Sequence, residues 1–179
     1  MKNKKIINLV MAAVFAALIA VMTAYVSIKT GLNEGYIHFG DSIIYIAACI
    51  LPFPYAALAA GIGGGLADLL AGAAIWAPVT VIIKALNVIP FALVYKFKMT
   101  KKPDKILNGA TAAMPIASGL ITLLGYTLAE KIIFGLQYDS LWIFILTGLI
   151  QPIGSAIMFY LIAAALDRVN FKNRIAKTK

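Results

Sequence analysis

The stretch GDSIIYIAACILPFPYAALAAGIGGGLADLLAG, residues 40–72, decides how many times this chain crosses a membrane. It is 33 residues long, which is long for one span of about 20 residues and short for two. The sequence LPFP at 51–54 interrupts it, because a proline lacks the N–H that continues a helix and also restricts the residue before it. We therefore predict two helices here, a short one at 41–51 and a longer one at 54–71.

The composition of the whole chain is that of a membrane protein. It has 179 residues, of which 62% are hydrophobic and 13% charged, whereas soluble domains are about 45–50% apolar and about 25% charged. Four further apolar segments flank the central stretch. The sequence predicts an all-α integral membrane protein with a single domain over residues 1–179 and six spans, at 6–28, 41–51, 54–71, 78–95, 107–128 and 141–166.

The basic residues are concentrated beside these spans. All but three of the 16 lie in the first five residues, in the loop 96–105 or in the tail from residue 168, as the positive-inside rule describes for cytoplasmic segments. We therefore place both termini in the cytoplasm. An even number of crossings must then separate the N-terminus from the 96–105 loop, which agrees with two helices in 40–72. Because no folded soluble part remains to bind nucleic acid, the net charge of +9 indicates membrane topology.

Four sequence features exclude other classes of protein. The apolar segment from Ile6 to Ile28 is longer than the ~7–15 residue core of a cleavable signal peptide. The single cysteine, Cys49, excludes a disulfide framework and a cysteine-based metal site. GIGGGLAD at 61–68 lacks the lysine of a phosphate-binding loop. With one histidine and no paired carboxylates on a helix face, the chain is predicted to be no enzyme and to hold no cofactor or metal.

Charged residues within the apolar runs indicate a site in the outer half of the membrane. Asp68 and Lys84 fall at comparable depth on this topology, so we predict an ion pair between them, because an unpaired charge there would cost roughly 2.5–3.5 kcal/mol. The pair could instead only lock two helices together. Other polar residues recur at helical spacing and should also point inward. The candidate ligand-binding residues are His38, Asp41, Tyr45, Asp68, Trp76, Lys84, Asn87, Tyr126 and Gln151.

For single residues of this set, a structural interpretation stays open. Any one polar side chain can simply bond two helices together, and Trp76 is either an interfacial anchor or a stacking lid for a flat ligand. His38 cannot be half of a His-x-x-x-His metal site, because it is the only histidine. The convergence of donors and acceptors from several helices favours a small polar pocket open to the outside.

The first predicted helix carries small residues at a spacing that lets another helix approach closely. Ala12, Ala13, Ala16, Ala17 and Ala20 form two overlapping stripes, 13/17 and 12/16/20. Two stripes are more than one neighbouring helix requires. We therefore predict that Ala13, Ala16, Ala17 and Ala20 contribute to a surface for a second membrane protein.

The sequence resembles the S components of energy-coupling factor (ECF) transporters, in the branch for riboflavin, hydroxymethylpyrimidine and pyridoxine. Nearly the whole chain takes part, and residues 38–87, HFGDSIIYIAACILPFPYAALAAGIGGGLADLLAGAAIWAPVTVIIKALN, are the most specific part. They include G-x-x-x-A-D-x-x-x-G at 63–72 and A-P-x-T-x-x-x-K at 77–84.

The resemblance implies a vitamin-binding subunit in a bacterial cell membrane. Such a subunit binds its ligand from outside and associates with a membrane coupling subunit and two cytoplasmic ATPases, which use the ATP. Within the family the alanine surface of the first helix contacts the coupling subunit, which corresponds here to Ala13 and Ala17 or equally to Ala16 and Ala20. The segment 29–40 would be the outer lid.

The ligand expected from the resemblance is a compact ring compound. A vitamin B6 form or hydroxymethylpyrimidine comes first and riboflavin second, because aromatic residues near Tyr45, Trp76 and Tyr126 are too few to stack a tricyclic flavin. Two functions of other classes compete with this one. The chain could be an autonomous proton-coupled secondary transporter, although no repeat of its halves is visible, or a purely structural membrane subunit.

Overall fold

The computed structural model describes residues 2–29, 36–97, 105–135, 145–146 and 148–178. A β-hairpin of strands β1 (Ser27–Lys29) and β2 (Tyr36–His38) follows the first helix, and a 3₁₀ turn (Thr111–Ala113) precedes the sixth. The helices are α1 (Lys2–Ala24), α2 (Gly40–Ile50), α3 (Phe53–Leu70), α4 (Ala77–Leu86), α5 (Ile89–Phe97), α6 (Met114–Phe134), α7 (Ile150–Arg168) and α8 (Phe171–Thr178).

The helices confirm the prediction of an all-α integral membrane fold. Within the described residues, five segments are long and apolar enough to cross a bilayer, namely α1, α3, α4 with α5, α6 and α7. The apolar helix α2 has only 11 residues, about 16 Å at 1.5 Å per residue. Of the stretches singled out in the sequence, residues 30–35, 98–104, 141–144 and 147 lie outside the described residues.

The chain leaves the first helix earlier than predicted. α1 ends at Ala24 rather than at residue 28, and Ser27 to Lys29 pair antiparallel with His38 to Tyr36. The signal for this hairpin was present in the sequence: polar and apolar residues alternate over 26–29 and 36–38, with glycines at 31 and 35 between them. The hairpin lies at the end of the bundle opposite the basic segments, which we call the outer end.

The fourth predicted span is two helices with a break at Asn87 and Val88. Pro90, the second residue of α5, explains the break, because it cannot donate to the carbonyl one turn earlier and its ring crowds that turn. Beside the break, the carbonyl of Asn87 accepts a hydrogen bond from Ser118 Oγ of α6 at 2.8 Å. The backbone at the break is therefore hydrogen-bonded to a side chain of α6.

The fifth predicted span is shifted along the chain. α6 covers 114–134 rather than 107–128, because residues 105–110 form an irregular segment held by side chains. Asp167 at the end of α7 accepts hydrogen bonds from the backbone N–H groups of Ile106 and Leu107, at 2.7 and 2.9 Å. Asn108 Oδ1 accepts from the N–H groups of residues 110 and 111. The apolar Ile106 is fully buried there without being helical.

Glycines let α3 lie close to both of its neighbours. A Cβ on Gly63 would come within 2.7 Å of the carbonyl oxygen of Ala16 on α1. On another side of α3, a Cβ on Gly65 would come within 2.6 Å of Val81 Cγ2 on α4. Because only a hydrogen atom occupies these positions, α3 can pack tightly between α1 and α4.

Candidate functional site

Asp41 and Lys84 form a buried ion pair near the outer end of the bundle. Lys84 Nζ lies 2.6 Å from Asp41 Oδ1, and the two side chains are only 3% and 1% exposed, respectively. Asp41 is in the first turn of α2, where the helix dipole also stabilises a negative charge. The predicted pair of Lys84 with Asp68 is therefore wrong: α2, which was predicted as a short helix, supplies the partner of Lys84.

Gly64 makes room for the Lys84 side chain between α3 and α4. A Cβ at this position would lie 2.7 Å from Lys84 Cγ and 3.0 Å from Thr80 Cγ2. The stem of Lys84 thus runs across the bare backbone of α3 towards α2. The lack of a side chain at Gly64 therefore explains how GIGGGLAD can pack against Lys84 of α4.

Asp68 on α3 lies near the Asp41–Lys84 pair and is connected to α6 through Thr80 of α4. Its side chain is 7% exposed, and the Thr80 side chain lies within hydrogen-bonding reach of its carboxylate. The Thr80 hydroxyl in turn lies 3.0 Å from the Tyr126 hydroxyl. Lys84 Nζ is 5.4 Å from the centre of the Tyr126 ring, and the Trp76 ring meets that ring edge to face at 6.0 Å. Asp68, Trp76, Lys84 and Tyr126 are therefore neighbours, as predicted for one site.

Asn87 carries the polar contacts one turn deeper. Its Nδ2 donates to Thr122 Oγ1 at 2.8 Å, and its carbonyl accepts from Ser118. Among the described residues, Asn87 Oδ1 has no hydrogen-bond partner although the side chain is fully buried. The spacing of Ser118, Thr122 and Tyr126 thus places three successive turns of α6 against α4.

Gln151 fastens the hairpin over the ion pair. Its Oε1 accepts from the His38 backbone N–H at 2.8 Å, and its Nε2 donates to the His38 carbonyl at 2.9 Å. The same Nε2 lies 3.0 Å from Ser155 Oγ and 3.5 Å from Asp41 Oδ2. The amide therefore pairs with strand β2 as a neighbouring peptide would. The spacing of polar residues in the sequence predicts that Gln151 points inward. It cannot predict the pairing with β2, because His38 is 113 residues away.

The imidazole of His38 is enclosed beneath this contact. Burial lowers the pKa of His38 from 6.5 to about 4, the positive charge of Lys84 adds to the effect and Asp41 opposes it. The side chain is therefore neutral at pH 7 and can accept or donate one hydrogen bond with each ring nitrogen. Gln151 Nε2 lies 3.2 Å from its Nδ1.

Tyr45 does not join the charged residues but belongs to the hydrophobic core. Its ring stacks on Phe91 at 5.4 Å and meets Phe159 edge to face at 5.8 Å. The side chain is fully buried, and its hydroxyl has no partner among the described residues. The prediction from the shared face with Asp41 put Tyr45 at the site, but a ring covered on both sides cannot stack a ligand.

The two alanine stripes of α1 have different surroundings. Ala16 and Ala20 are 7% and 3% exposed and face the interior, where Ala16 lies against Gly63 of α3. Ala13 and Ala17 are exposed. The expectation that Ala16 and Ala20 contact a partner is therefore corrected, because α3 already occupies that surface.

The donor set of the site suits an organic ligand better than a metal ion. Across the described ranges, no three His, Cys, Asp or Glu side chains come together in a way that could hold a metal. The site instead combines one ion pair, a second carboxylate, amides, hydroxyls and two aromatic rings. Such a mixture can hydrogen-bond and stack a polar ring compound.

Comparisons with known proteins agree with this architecture. The family model for the ECF-type riboflavin transporter S component matches residues 3–168. An uncharacterized protein in a gap 3′ region of Pyrococcus woesei is 28% identical over 117 residues, covering 65% of this chain and 74% of that protein. No solved structure matches the chain. Because the family match extends over nearly all of the bundle, from α1 to the end of α7, the chain belongs to the family of ECF-type riboflavin transporter S components.

Proposed function

We propose that this chain binds a small water-soluble vitamin or vitamin precursor from the outside and delivers it to an ATP-driven importer. The observation that carries the proposal is the buried Asp41–Lys84 pair beneath the hairpin, with side chains of α3, α6 and α7 arranged around it. The remaining importer subunits would be a membrane coupling subunit and two cytoplasmic ATPases. The expected location is the cell membrane, which the five apolar spans support.

The energetics of the ion pair favour a binding role over a purely structural one. Removing two charges from water costs several kcal/mol per ion, and a buried pair often stabilises a protein no better than apolar residues of similar size. In a membrane bundle that apolar contacts and neutral hydrogen bonds already hold together, a buried ion pair is a costly way to join two helices. Charged groups at membrane depth are instead typical of substrate sites.

The size and chemistry of the polar cluster favour a pyridine or pyrimidine ligand. The ring of Tyr45 is packed in the hydrophobic core. The aromatic rings near the ion pair are therefore those of Trp76 and Tyr126, which contact each other. Such a surface suits one ring better than three. A vitamin B6 form or hydroxymethylpyrimidine is therefore the first candidate, with His38, Asp41, Lys84, Asn87 and Gln151 as its polar contacts.

Riboflavin is the second candidate, because the matching family is described by that vitamin. Its neutral isoalloxazine could use Trp76 and Tyr126 only if the two rings separate. Members of one fold bind different ligands through different side chains, so family membership alone does not select the vitamin.

The exposed Ala13–Ala17 face of α1 is the surface we propose for the coupling subunit. The small side chains permit a close helix–helix contact, and the exposed Val10 and Val14 beside them add apolar area. Ligand release would then use energy from ATP hydrolysis in the partner proteins.

Calorimetric titration of the purified chain in detergent tests the proposal. Riboflavin, pyridoxine, pyridoxamine and hydroxymethylpyrimidine are titrated separately, and we expect a sub-micromolar dissociation constant for one of them. Failure of all four compounds to bind would overturn the proposal. Reconstitution of the chain alone into vesicles with a pH gradient gives the complementary control, because accumulation of solute without ATPases would identify an autonomous secondary transporter.

A further inference from the structure

The carboxylate of Asp68 is the most under-satisfied charged group in the described bundle. Its side chain is 7% exposed, and Oδ2 has no hydrogen-bond partner among the described residues. A buried carboxylate oxygen without a donor is costly in a membrane protein. Its position beside Thr80, within the electrostatic reach of Lys84, places the free oxygen next to the proposed binding site.

The charges of the site do not cancel. Asp41 and Lys84 neutralise each other at 2.6 Å. His38 is neutral at pH 7 because burial lowers its pKa to about 4. With Asp68 in its ionised form, the buried ionisable side chains that the structure describes near the site carry an excess of one negative charge.

Nearby groups favour a donor and a cation over an acceptor. Asn87 Oδ1, one turn deeper on the Lys84 side of the site, is another buried acceptor without a partner among the described residues. The ring of Tyr126 already has the Lys84 ammonium 5.4 Å from its centre, and Trp76 lies beside it. Aromatic faces attract positive charge, whereas an anionic ligand would meet Asp41 and Asp68 together.

We infer that the site takes a singly positive nitrogen heterocycle whose charged N–H group binds Oδ2 of Asp68. This inference rests on the proposed function and narrows it to a substrate class: a small ring with an ammonium arm or a protonated amidine-like edge. The ligand cation would supply a hydrogen-bond donor for Oδ2 and a positive charge to balance the carboxylate. Asp41 would remain paired with Lys84.

Two pairs of compounds that differ in one group test the inference. Pyridoxamine is compared with pyridoxine, and 4-amino-5-aminomethyl-2-methylpyrimidine with its 5-hydroxymethyl analogue. The aminomethyl group, like a lysine ammonium, is charged at pH 7. A hydrogen bond between two charged groups is strong enough that we expect the aminomethyl member of the bound scaffold to bind about tenfold tighter or more.

Two variants locate the origin of this preference. In Asp68→Asn, which keeps the shape of the side chain, the two members should bind with equal affinity. In Glu130→Gln, which removes the same charge one turn beyond Tyr126 on α6, the preference should persist. Melting temperatures of both variants establish that the fold is retained. Binding of the uncharged hydroxymethyl compound to each variant establishes that the binding site is also intact.

The outcomes separate this inference from the proposed function. Three results would overturn the charge assignment while leaving the proposed vitamin binding intact. They are equal affinity for the two members of each pair, a preference for the aminomethyl member that survives Asp68→Asn, and loss of that preference in Glu130→Gln as well as in Asp68→Asn. Binding of riboflavin alone would do the same. If none of the four ring compounds and no riboflavin binds, both the inference and the proposed function fail.

Discussion

At the scale of single residues, the position of Lys84 follows from a missing side chain on a neighbouring helix. Lys84 reaches Asp41 because Gly64 presents no side chain in its path. From the sequence, the glycines and the two charged residues of 63–87 could be recognised as one unit. The partner of Lys84 could not, because Asp68 and Asp41 are both acidic and only the packing of α2 decides between them.

Gly64→Ala should therefore disturb the ion pair. The added methyl would lie 2.7 Å from Lys84 Cγ, and such overpacking costs about 1–3 kcal/mol, more than the helix propensity gained from alanine. We expect a lower melting temperature and weaker ligand binding. Gly109→Ala is the control, since a Cβ there meets nothing within 4 Å. Equal melting temperatures for the two variants would contradict the packing described here.

The buried imidazole of His38 makes closure of the hairpin dependent on pH. The pKa of His38 is about 4 in the closed state and 6.5 when exposed, so the open hairpin binds more protons between these values. The closed state therefore loses stability as pH falls below about 6.5, by up to about tenfold in population per pH unit. Hydrogen exchange of amides 36–39, corrected for intrinsic rates, measures this. His38→Gln should remove the dependence, and an unchanged pH profile in that variant would rule out His38 as its source.

At the scale of elements, hydropathy and prolines located the helices but not their ends. The break at LPFP separates α2 and α3 close to the predicted residues. Three ends differ because side chains or strand pairing compete with the helix. Ser27–Lys29 pair with β2, Pro90 divides α4 from α5, and Asp167 holds the segment before α6. The hairpin and Pro90 are local in the sequence, whereas Asp167 is 61 and 60 residues away from the two N–H groups that it binds.

The two faces of α1 should respond differently to the same substitution. Ala16→Leu places a large side chain against Gly63 of α3, so we expect about 1–3 kcal/mol of destabilisation and a lower melting temperature. Ala17→Leu changes an exposed position and should leave the melting temperature unchanged. It should instead reduce co-purification with the coupling subunit and ATPases. The opposite assignment of these two effects would show that the partner surface lies elsewhere.

At the scale of the whole molecule, the hairpin, α2, α4 and α7 converge on one buried ion pair at the outer end. Composition and basic segments predicted the class of protein and its spans, and periodicity gathered most of the site. Gln151 and His38 were placed at the site by sequence reasoning, but their mutual pairing required the fold. Tyr45 shows the limit of periodicity, because one helix face carries both Asp41 in the site and a ring buried in the core.

The central claim is that the Asp41–Lys84 pair belongs to a ligand site and does not merely lock helices. The double variant Asp41→Asn/Lys84→Met tests it, because replacing both charges of a buried pair avoids an unpaired ion and should change stability little. Its dissociation constant is measured for the tightest binder among riboflavin, pyridoxine, pyridoxamine and hydroxymethylpyrimidine. We predict a melting temperature close to that of the unaltered chain and binding weaker by about 100-fold. An unchanged dissociation constant in a folded double variant would contradict the account.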